Sequence, residues 1–178
     1  MRCGRRPFLM GAVAAAAGVV LPGRASAADA TILMKSTPDG SDVWFEPIGL
    51  WLPPGTAVTW ENGSEQANTH TATAYHPANE NHSLRIPDAA RPWDSGYLLP
   101  GKRYTVTLTA EGVYDYFCQP HELAGMVGRI VVGKPGGPGS RPFDWFAAAH
   151  PDWQPVPPEA QRAFPSVEEI VRRRIVRR

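Results

Sequence analysis

The stretch YDYFCQPHELAGMVGRIVV, residues 114–132, decides both the fold and the chemistry of this chain. It consists of two runs with β-strand composition joined by a short loop. The loop places Cys118, His121 and Met126 in the spacing C-x2-H-x4-M. A thiolate and an imidazole bind copper or zinc strongly, whereas a thioether is a poor zinc ligand but a suitable weak, soft ligand for copper. The spacing therefore predicts a copper site in a loop between two strands.

Residues 30–133 have the composition of β structure throughout. Tyr104–Thr109 alternates strictly, with Tyr104, Val106 and Leu108 on one face and threonines on the other. Because no convincing helix interrupts these short runs, we predict an all-β fold, an antiparallel sandwich or barrel of about 105 residues. The other predicted strands are Thr31–Met34, Val43–Leu52 with a bend at Pro47, Ala57–Trp60, Thr69–Tyr75, Val113–Cys118 and Val127–Val132.

A blue copper electron-transfer site needs two histidines and one cysteine, with a distant methionine as axial ligand. The loop supplies one histidine, so the second must come from elsewhere. In a strand over Thr69–Tyr75, His70 shares a face with small alanines that leave room for a buried imidazole. His76 and His82 lie in a loop rich in Pro and Asn and are expected to face solvent. The candidates for the second ligand are His70, with His76 as its main rival, His82 and His150.

Several segments together resemble the cupredoxins, the small blue copper proteins that include plastocyanin, pseudoazurin, amicyanin and halocyanin. The loop spacing is similar to that of plastocyanin and pseudoazurin. The other resembling segments are Gly125–Val132 after the loop, Val58–Asn62 ahead of His70, and Trp93–Gly101 before the alternating strand. The resemblance implies a Greek-key antiparallel β-sandwich. It also implies that one type 1 copper ion is bound by His70, Cys118, His121 and Met126.

The chain departs from the family pattern at two places. Many relatives follow the first histidine ligand with an asparagine that braces the copper loop, and this chain has Thr71 there. We expect the threonine hydroxyl to bond the same loop. The insert Tyr75–Trp93 is also longer than plastocyanin suggests.

Residues 1–27 have the pattern of a cleaved export signal. Arg2, Arg5 and Arg6 precede the apolar stretch Phe8–Leu21, and Ala25–Ala27 forms an A-x-A cleavage site. Arg5 and Arg6 begin a segment that resembles a twin-arginine signal, the alternative being an ordinary secretory signal with a chance arginine pair. The signal predicts a location in the periplasm or on the extracellular face of the cell membrane.

Charge is distributed unevenly along the 178 residues, although the formal net charge is only +1. Residues 28–133 carry 6 basic and 12 acidic residues, whereas residues 134–178 carry 8 basic and 5 acidic residues. An acidic body does not favour nucleic-acid binding, which needs a basic surface. It favours steering of a basic redox partner such as a periplasmic c-type cytochrome. A copper or haem reductase or oxidase is the other partner class, and a monomer is expected.

Residues 134–178 form a third segment with a different composition. A Pro/Gly linker at residues 134–142 leads into an aromatic, arginine-rich tail. Ser166 and Glu169 have capping-box spacing, which predicts a short helix with Val167, Ile170, Val171 and Ile175 on one face. The tail has three possible roles: docking on a partner or on the sandwich, weak membrane-surface contact, or a partly disordered extension.

The predicted function is that of a one-electron carrier, not an enzyme. The resemblance to the cupredoxins implies that the electron leaves at the edge of His121. The apolar surface expected there is formed by Pro120, Leu123, Ala124 and Gly125, with Trp51 and Pro53 as further candidates. The alternatives are a copper-binding or delivery protein, a metal-free interaction module, and the electron-entry subunit of a larger redox complex.

Overall fold

The computed structural model describes residues 1, 29–63, 65 and 68–178. Apart from Met1, the predicted export signal lies outside the described residues. Within the described part of the chain, no helix is long and apolar enough to cross a membrane.

The described residues form two β-sheets packed as a sandwich, which confirms the predicted fold. The strands are β1 (Ala30–Ser36), β2 (Val43–Glu46), β3 (Gly49–Leu52), β4 (Thr56–Asn62), β5 (Thr73–Ala74), β6 (Arg103–Leu108), β7 (Gly112–Phe117), β8 (Val127–Val132) and β9 (Ile175–Val176). One sheet has the order β2-β1-β4-β6 and the other β5-β7-β8-β3-β9. The sheets are mixed and not purely antiparallel as predicted, because each contains one parallel pair, β1 with β4 and β3 with β8, among antiparallel neighbours.

Two predicted strands differ from the observed ones by more than one or two residues at an end. Val43–Leu52 is interrupted around Pro47, so that β2 joins one sheet and β3 the other. Proline cannot donate to a strand ladder, which explains the break. The predicted strand Thr69–Tyr75 is regular only at β5, because His70 instead forms an isolated bridge with Leu98.

The core between the sheets follows the expected alternation. In β6, Leu108 is buried and Tyr104 and Val106 are partly buried, while the threonines between them are exposed. Across the core, Trp60 of β4 packs edge-on against Tyr116 of β7, with ring centroids 5.2 Å apart. Apolar burial of this kind is the main driving force for the sandwich.

The tail folds back onto the sandwich through helices α1 (Pro158–Ala163) and α2 (Val167–Arg173) and through β9. The predicted cap is confirmed, because the Glu169 N–H donates to Ser166 Oγ at 3.1 Å. The expectation that Ile175 extends the helix is wrong. Arg174 has a φ of 66°, which ends the helix and directs Ile175 into β9 beside β3.

The tail explains why β7 and β8 are buried along their whole length. Their inner faces meet the opposite sheet, and tail residues cover their outer faces. These contacts join Val113 and Val131 with Ile170 and Val176, and Phe117 and Val127 with Val156 and Ala160.

Candidate metal centre

The loop between β7 and β8 is closed by its own backbone. A 3-10 helix spans Gln119–Ala124, with Cys118 just before it and Met126 just after Gly125. The Cys118 N–H donates to the Met126 carbonyl at 3.0 Å, and the Met126 N–H donates to the His121 carbonyl at 3.1 Å. Gly125 has a φ of 77°, a left-handed conformation that glycine adopts without steric cost. The three predicted ligands of the loop are thereby held within one short loop.

His70 reaches the same end of the sandwich with the help of Asn62, a residue that the sequence reasoning did not single out. The buried Asn62 amide donates to the Leu98 carbonyl at 2.8 Å and to the Asn68 carbonyl at 2.9 Å. The backbones of His70 and Leu98 exchange hydrogen bonds of 3.2 and 2.7 Å. His70 is fully buried as a result. The sequence feature that could have identified Asn62 is a polar residue at the end of an apolar strand.

Three ligand atoms converge between the loop and the His70 segment. Those of His70, Cys118 and His121 all lie within 4.8 Å of one another. Cys118 Sγ is 3.7 Å from His70 Nδ1 and 3.3 Å from His121 Nδ1. Nitrogen and sulfur ligands at about 2.0 and 2.3 Å from a shared ion are about 3.5 to 3.7 Å apart at tetrahedral or trigonal angles. The spacing therefore fits one metal ion, and the buried Met126 lies in the same core cluster as Cys118.

Burial controls the protonation of these groups. It lowers the pKa of His70 to about 4, with a smaller contribution from His121, and it also lowers the pKa of His121. Both imidazoles are therefore neutral near pH 7, with lone pairs free for a metal. Burial raises the pKa of the Cys118 thiol to about 12, so a bound cation is needed to keep the sulfur as thiolate. Two imidazoles, one thiolate and a nearby thioether suit copper.

Residues 32–133 match the family of copper binding proteins described as the plastocyanin/azurin family. The chain belongs to this family. The chloroplastic plastocyanin of Tetradesmus obliquus is 35% identical over 123 residues, which cover 67% of this chain and 80% of that protein. The plastocyanin of Sambucus nigra is 54% identical over 94 residues, covering 53% of this chain and 91% of that protein. A pseudoazurin from Sinorhizobium superposes with a TM-score of 0.52 at 26% identity, covering 76% of this chain and 90% of that structure.

These findings confirm the cupredoxin resemblance, the β-sandwich and copper as the cofactor. They also confirm the predicted function, that of a single-copper electron carrier. The copper delivery and redox-complex alternatives are not favoured.

Thr71 braces the copper loop of this cupredoxin in the way expected from the sequence. The Gln119 N–H donates to Thr71 Oγ1 at 2.8 Å, and the Thr71 N–H donates to Cys118 Sγ at 3.3 Å. The Thr73 hydroxyl lies 3.0 Å from that of Thr71 and donates to Asp94 Oδ1 at 2.9 Å. Thr71 thus holds Cys118 and Gln119 in place, and Thr73 and Asp94 extend this hydrogen-bonded group away from the loop.

The structure does not bring the other candidate histidines to the centre. His76 is partly buried, and its Nδ1 accepts a hydrogen bond from the Ala78 N–H. The expectation that His82 faces solvent is wrong, because it is only 3% exposed and packs against Phe117 at a ring-centroid distance of 4.5 Å. His150 stacks on Trp153 in the tail at 3.8 Å.

The copper end of the cupredoxin has an exposed apolar surface. His121 is partly buried, and Leu123 beyond it is 72% exposed. Tyr97 and Leu99, which the sequence reasoning missed, are 67% and 58% exposed and flank the residue paired with His70. The sequence feature that could have identified Tyr97 and Leu99 is the presence of large apolar side chains within a turn.

Trp51 does not belong to this surface. It pairs with Val131, close to the end of β8 that is remote from Met126. Its Nε1 donates to the Gly133 carbonyl at 2.9 Å, and the Arg174 guanidinium stacks on its ring at 4.0 Å. Because Pro53 follows directly after β3, it lies toward that remote end as well.

Proposed function

We propose that His70, Cys118, His121 and Met126 hold the single copper ion of this carrier. The observation that carries the proposal is the convergence of two Nδ1 atoms on Cys118 Sγ. Copper supplies a reversible one-electron change between Cu(I) and Cu(II). The four side chains orient that ion, and Cys118 gives it a covalent connection into β7.

The surrounding residues restrict the movement of the ligands. His70, Cys118 and Met126 are fully buried, so water is excluded from three sides of the site. The backbone bonds of the loop and the Thr71 brace restrict movement of the cysteine. A site that changes little between oxidation states favours rapid electron transfer. His121 is the one proposed ligand with an exposed edge, and we propose that the electron enters and leaves there.

The blue copper spectrum tests this assignment. Cu(II) is added to the purified chain, and the visible absorption and electron paramagnetic resonance spectra are recorded before and after reduction. We expect an intense thiolate-to-copper band and a narrow hyperfine splitting, both lost on reduction and restored on oxidation. A pale, ordinary Cu(II) spectrum would overturn the proposed ligand set.

Leu123→Glu is expected to slow electron transfer to a protein partner by about tenfold. A few residues near the centre of an interface contribute most of the binding energy, and a loss of about 1.4 kcal/mol at one of them weakens binding about tenfold. The new carboxylate places charge in the centre of the apolar exit surface. The copper spectrum stays unchanged, since the side chain is directed outward and 72% exposed. Stopped-flow oxidation by a c-type cytochrome measures the effect, with Ile175→Glu as the control at another exposed apolar residue. An unchanged rate of electron transfer would exclude this face as the surface on which the partner docks.

The partner proposed for this carrier is a basic redox protein in the same exported compartment, such as a c-type cytochrome. The support is the predicted export signal and the charge of residues 28–178, which carry 14 basic and 17 acidic residues. Long-range attraction of this kind is screened by salt. We therefore expect the rate with a basic cytochrome to fall as ionic strength rises from 10 to about 200 mM. An electron-transfer rate that does not change with salt would exclude electrostatic steering of the partner.

A further inference from the structure

The turn that carries His121 is a weak element when considered alone. It is a six-residue 3-10 helix, Gln119–Ala124, and none of its residues is buried. Hydrogen bonds in 3-10 helices have poor geometry, and runs of more than three or four residues are uncommon. The position of His121 therefore depends on contacts from outside the turn.

One such contact comes from the long insert. The Tyr75 hydroxyl donates to Glu122 Oε1 at 2.7 Å, and Glu122 is the residue directly after His121. Tyr75 is fully buried, and the Glu122 side chain is only 12% exposed. His82 Nδ1 lies 3.9 Å from the same carboxylate oxygen. A buried tyrosine, a shielded carboxylate and a buried histidine thus lie together beneath the turn.

Tyr75 is itself held rigidly in the fold. Its N–H donates to the Asp115 carbonyl at 3.1 Å, and its carbonyl accepts from the Arg85 N–H at 2.9 Å. Its ring packs on Phe117 at a centroid distance of 4.4 Å. Because Phe117 directly precedes Cys118, the hydroxyl of Tyr75 is anchored to the strand that leads into the copper loop.

The tail supports the same region from two sides. The backbone of Gln154 bonds the residues around His82, accepting from Ser83 at 2.9 Å and donating to Asn81 at 2.8 Å. Helix α1 packs against the end of the turn, since a Cβ placed on Gly125 would lie 3.3 Å from the Ala163 Cβ. The insert and the tail therefore enclose the turn together.

We propose that Tyr75 is a positioning residue for electron transfer, which through Glu122 holds the His121 turn in one place, with His82 and the tail as its support. The proposal rests on the proposed role of His121 as ligand and exit. It assigns one shared task to the two parts of the chain that the ligand set leaves without a role, the insert Tyr75–Trp93 and residues 134–178.

Tyr75→Phe tests the brace, because it removes the hydroxyl and keeps the packed ring. Amide hydrogen exchange is measured on the full chain, copper-free and in the Cu(I) form. We expect about tenfold faster exchange at Gly125 and Met126, the effect of about one lost hydrogen bond. The matched control is Tyr114→Phe, which removes a hydroxyl that donates to the Ala110 carbonyl at 2.7 Å, away from the turn. This control should leave the exchange rates of the Gly125 and Met126 amides unchanged.

The reduction potential separates positioning from general stability. Tyr75→Phe should lower the potential, because water reaching a loosened turn stabilises the more highly charged oxidation state, whereas Tyr114→Phe should not. Glu122→Gln keeps an oxygen that can accept the hydrogen bond from Tyr75, so exchange at Gly125 and Met126 should stay slow. Glu122→Ala removes that acceptor, so exchange at these two amides should become faster.

Equal exchange and equal potential in Tyr75→Phe and the control would overturn the brace. Failure of the proposed ligand set would appear separately, as the absence of a blue spectrum in the unmodified chain. The copper-free exchange measurement does not depend on that outcome.

Discussion

Cys118→Ser is expected to abolish the intense visible band and to leave the chain without a blue copper site. The band needs a thiolate bound to copper, and residues 28–178 contain no other cysteine. A serine hydroxyl is a hard, neutral oxygen that copper prefers much less than a thiolate. Both imidazoles remain in place, so we expect the variant to bind Cu(II) weakly and to give only a pale visible spectrum. Absorption and electron paramagnetic resonance spectra at equal copper loading measure the change.

Cys3→Ser is the matched control for this substitution. It makes the same chemical change in the predicted export signal and should leave the spectrum as it was. Circular dichroism of both variants checks that the sandwich is intact. An intense band that persists in Cys118→Ser would contradict the assignment of the thiolate ligand.

Asp115→Asn is expected to lower the free energy of unfolding by about 3 to 5 kcal/mol, the usual cost of removing one partner from a buried ion pair. Asp115 is fully buried between two arginines that are themselves buried. Arg129 donates to its carboxylate through Nε at 2.7 Å and Nη2 at 2.9 Å, and Arg85 donates through Nε at 3.1 Å. The variant leaves both guanidinium groups without their counter-charge.

The same cluster connects parts of the chain that are distant in sequence. Arg85 Nη atoms also donate to the Gly139 carbonyl at 2.8 Å and the Arg141 carbonyl at 2.7 Å. Arg129 Nη1 donates to the Pro165 carbonyl at 2.9 Å. Loss of Asp115 should therefore loosen the tail together with β7 and β8.

Urea unfolding of the copper-free chain, followed by tryptophan fluorescence, measures this loss. Glu159→Gln is the control, since it removes the carboxylate of an exposed pair with Arg162, and such pairs contribute about 1 kcal/mol or less. Arg85 also stacks on the ring of Phe143 and Arg129 on that of Phe164. A change for Asp115→Asn as small as that of the control would show that carbonyl groups and these rings satisfy the two arginines without the carboxylate.

Local features of this cupredoxin could be predicted from its sequence. The C-x2-H-x4-M spacing places Cys118, His121 and Met126 within nine consecutive residues, so these three candidate ligands could be identified without any long-range contact. The alternation of Tyr104–Thr109 and the cap of Ser166 on α2 are equally local. Each of these depends on neighbours within a few residues, and backbone geometry fixes such neighbours directly.

Contacts between distant segments were decided only in the tertiary structure. The placement of His70 depends on Asn62 and Leu98, which no spacing rule connects to it. His82 looked solvent-facing in its polar loop, but the tail covers it. The docking of the tail was one of three open roles, and it depends on the Asp115 cluster and on apolar contacts with β7 and β8. Such contacts form wherever packing buries enough apolar surface and pairs the buried charges, and that balance involves the whole chain at once.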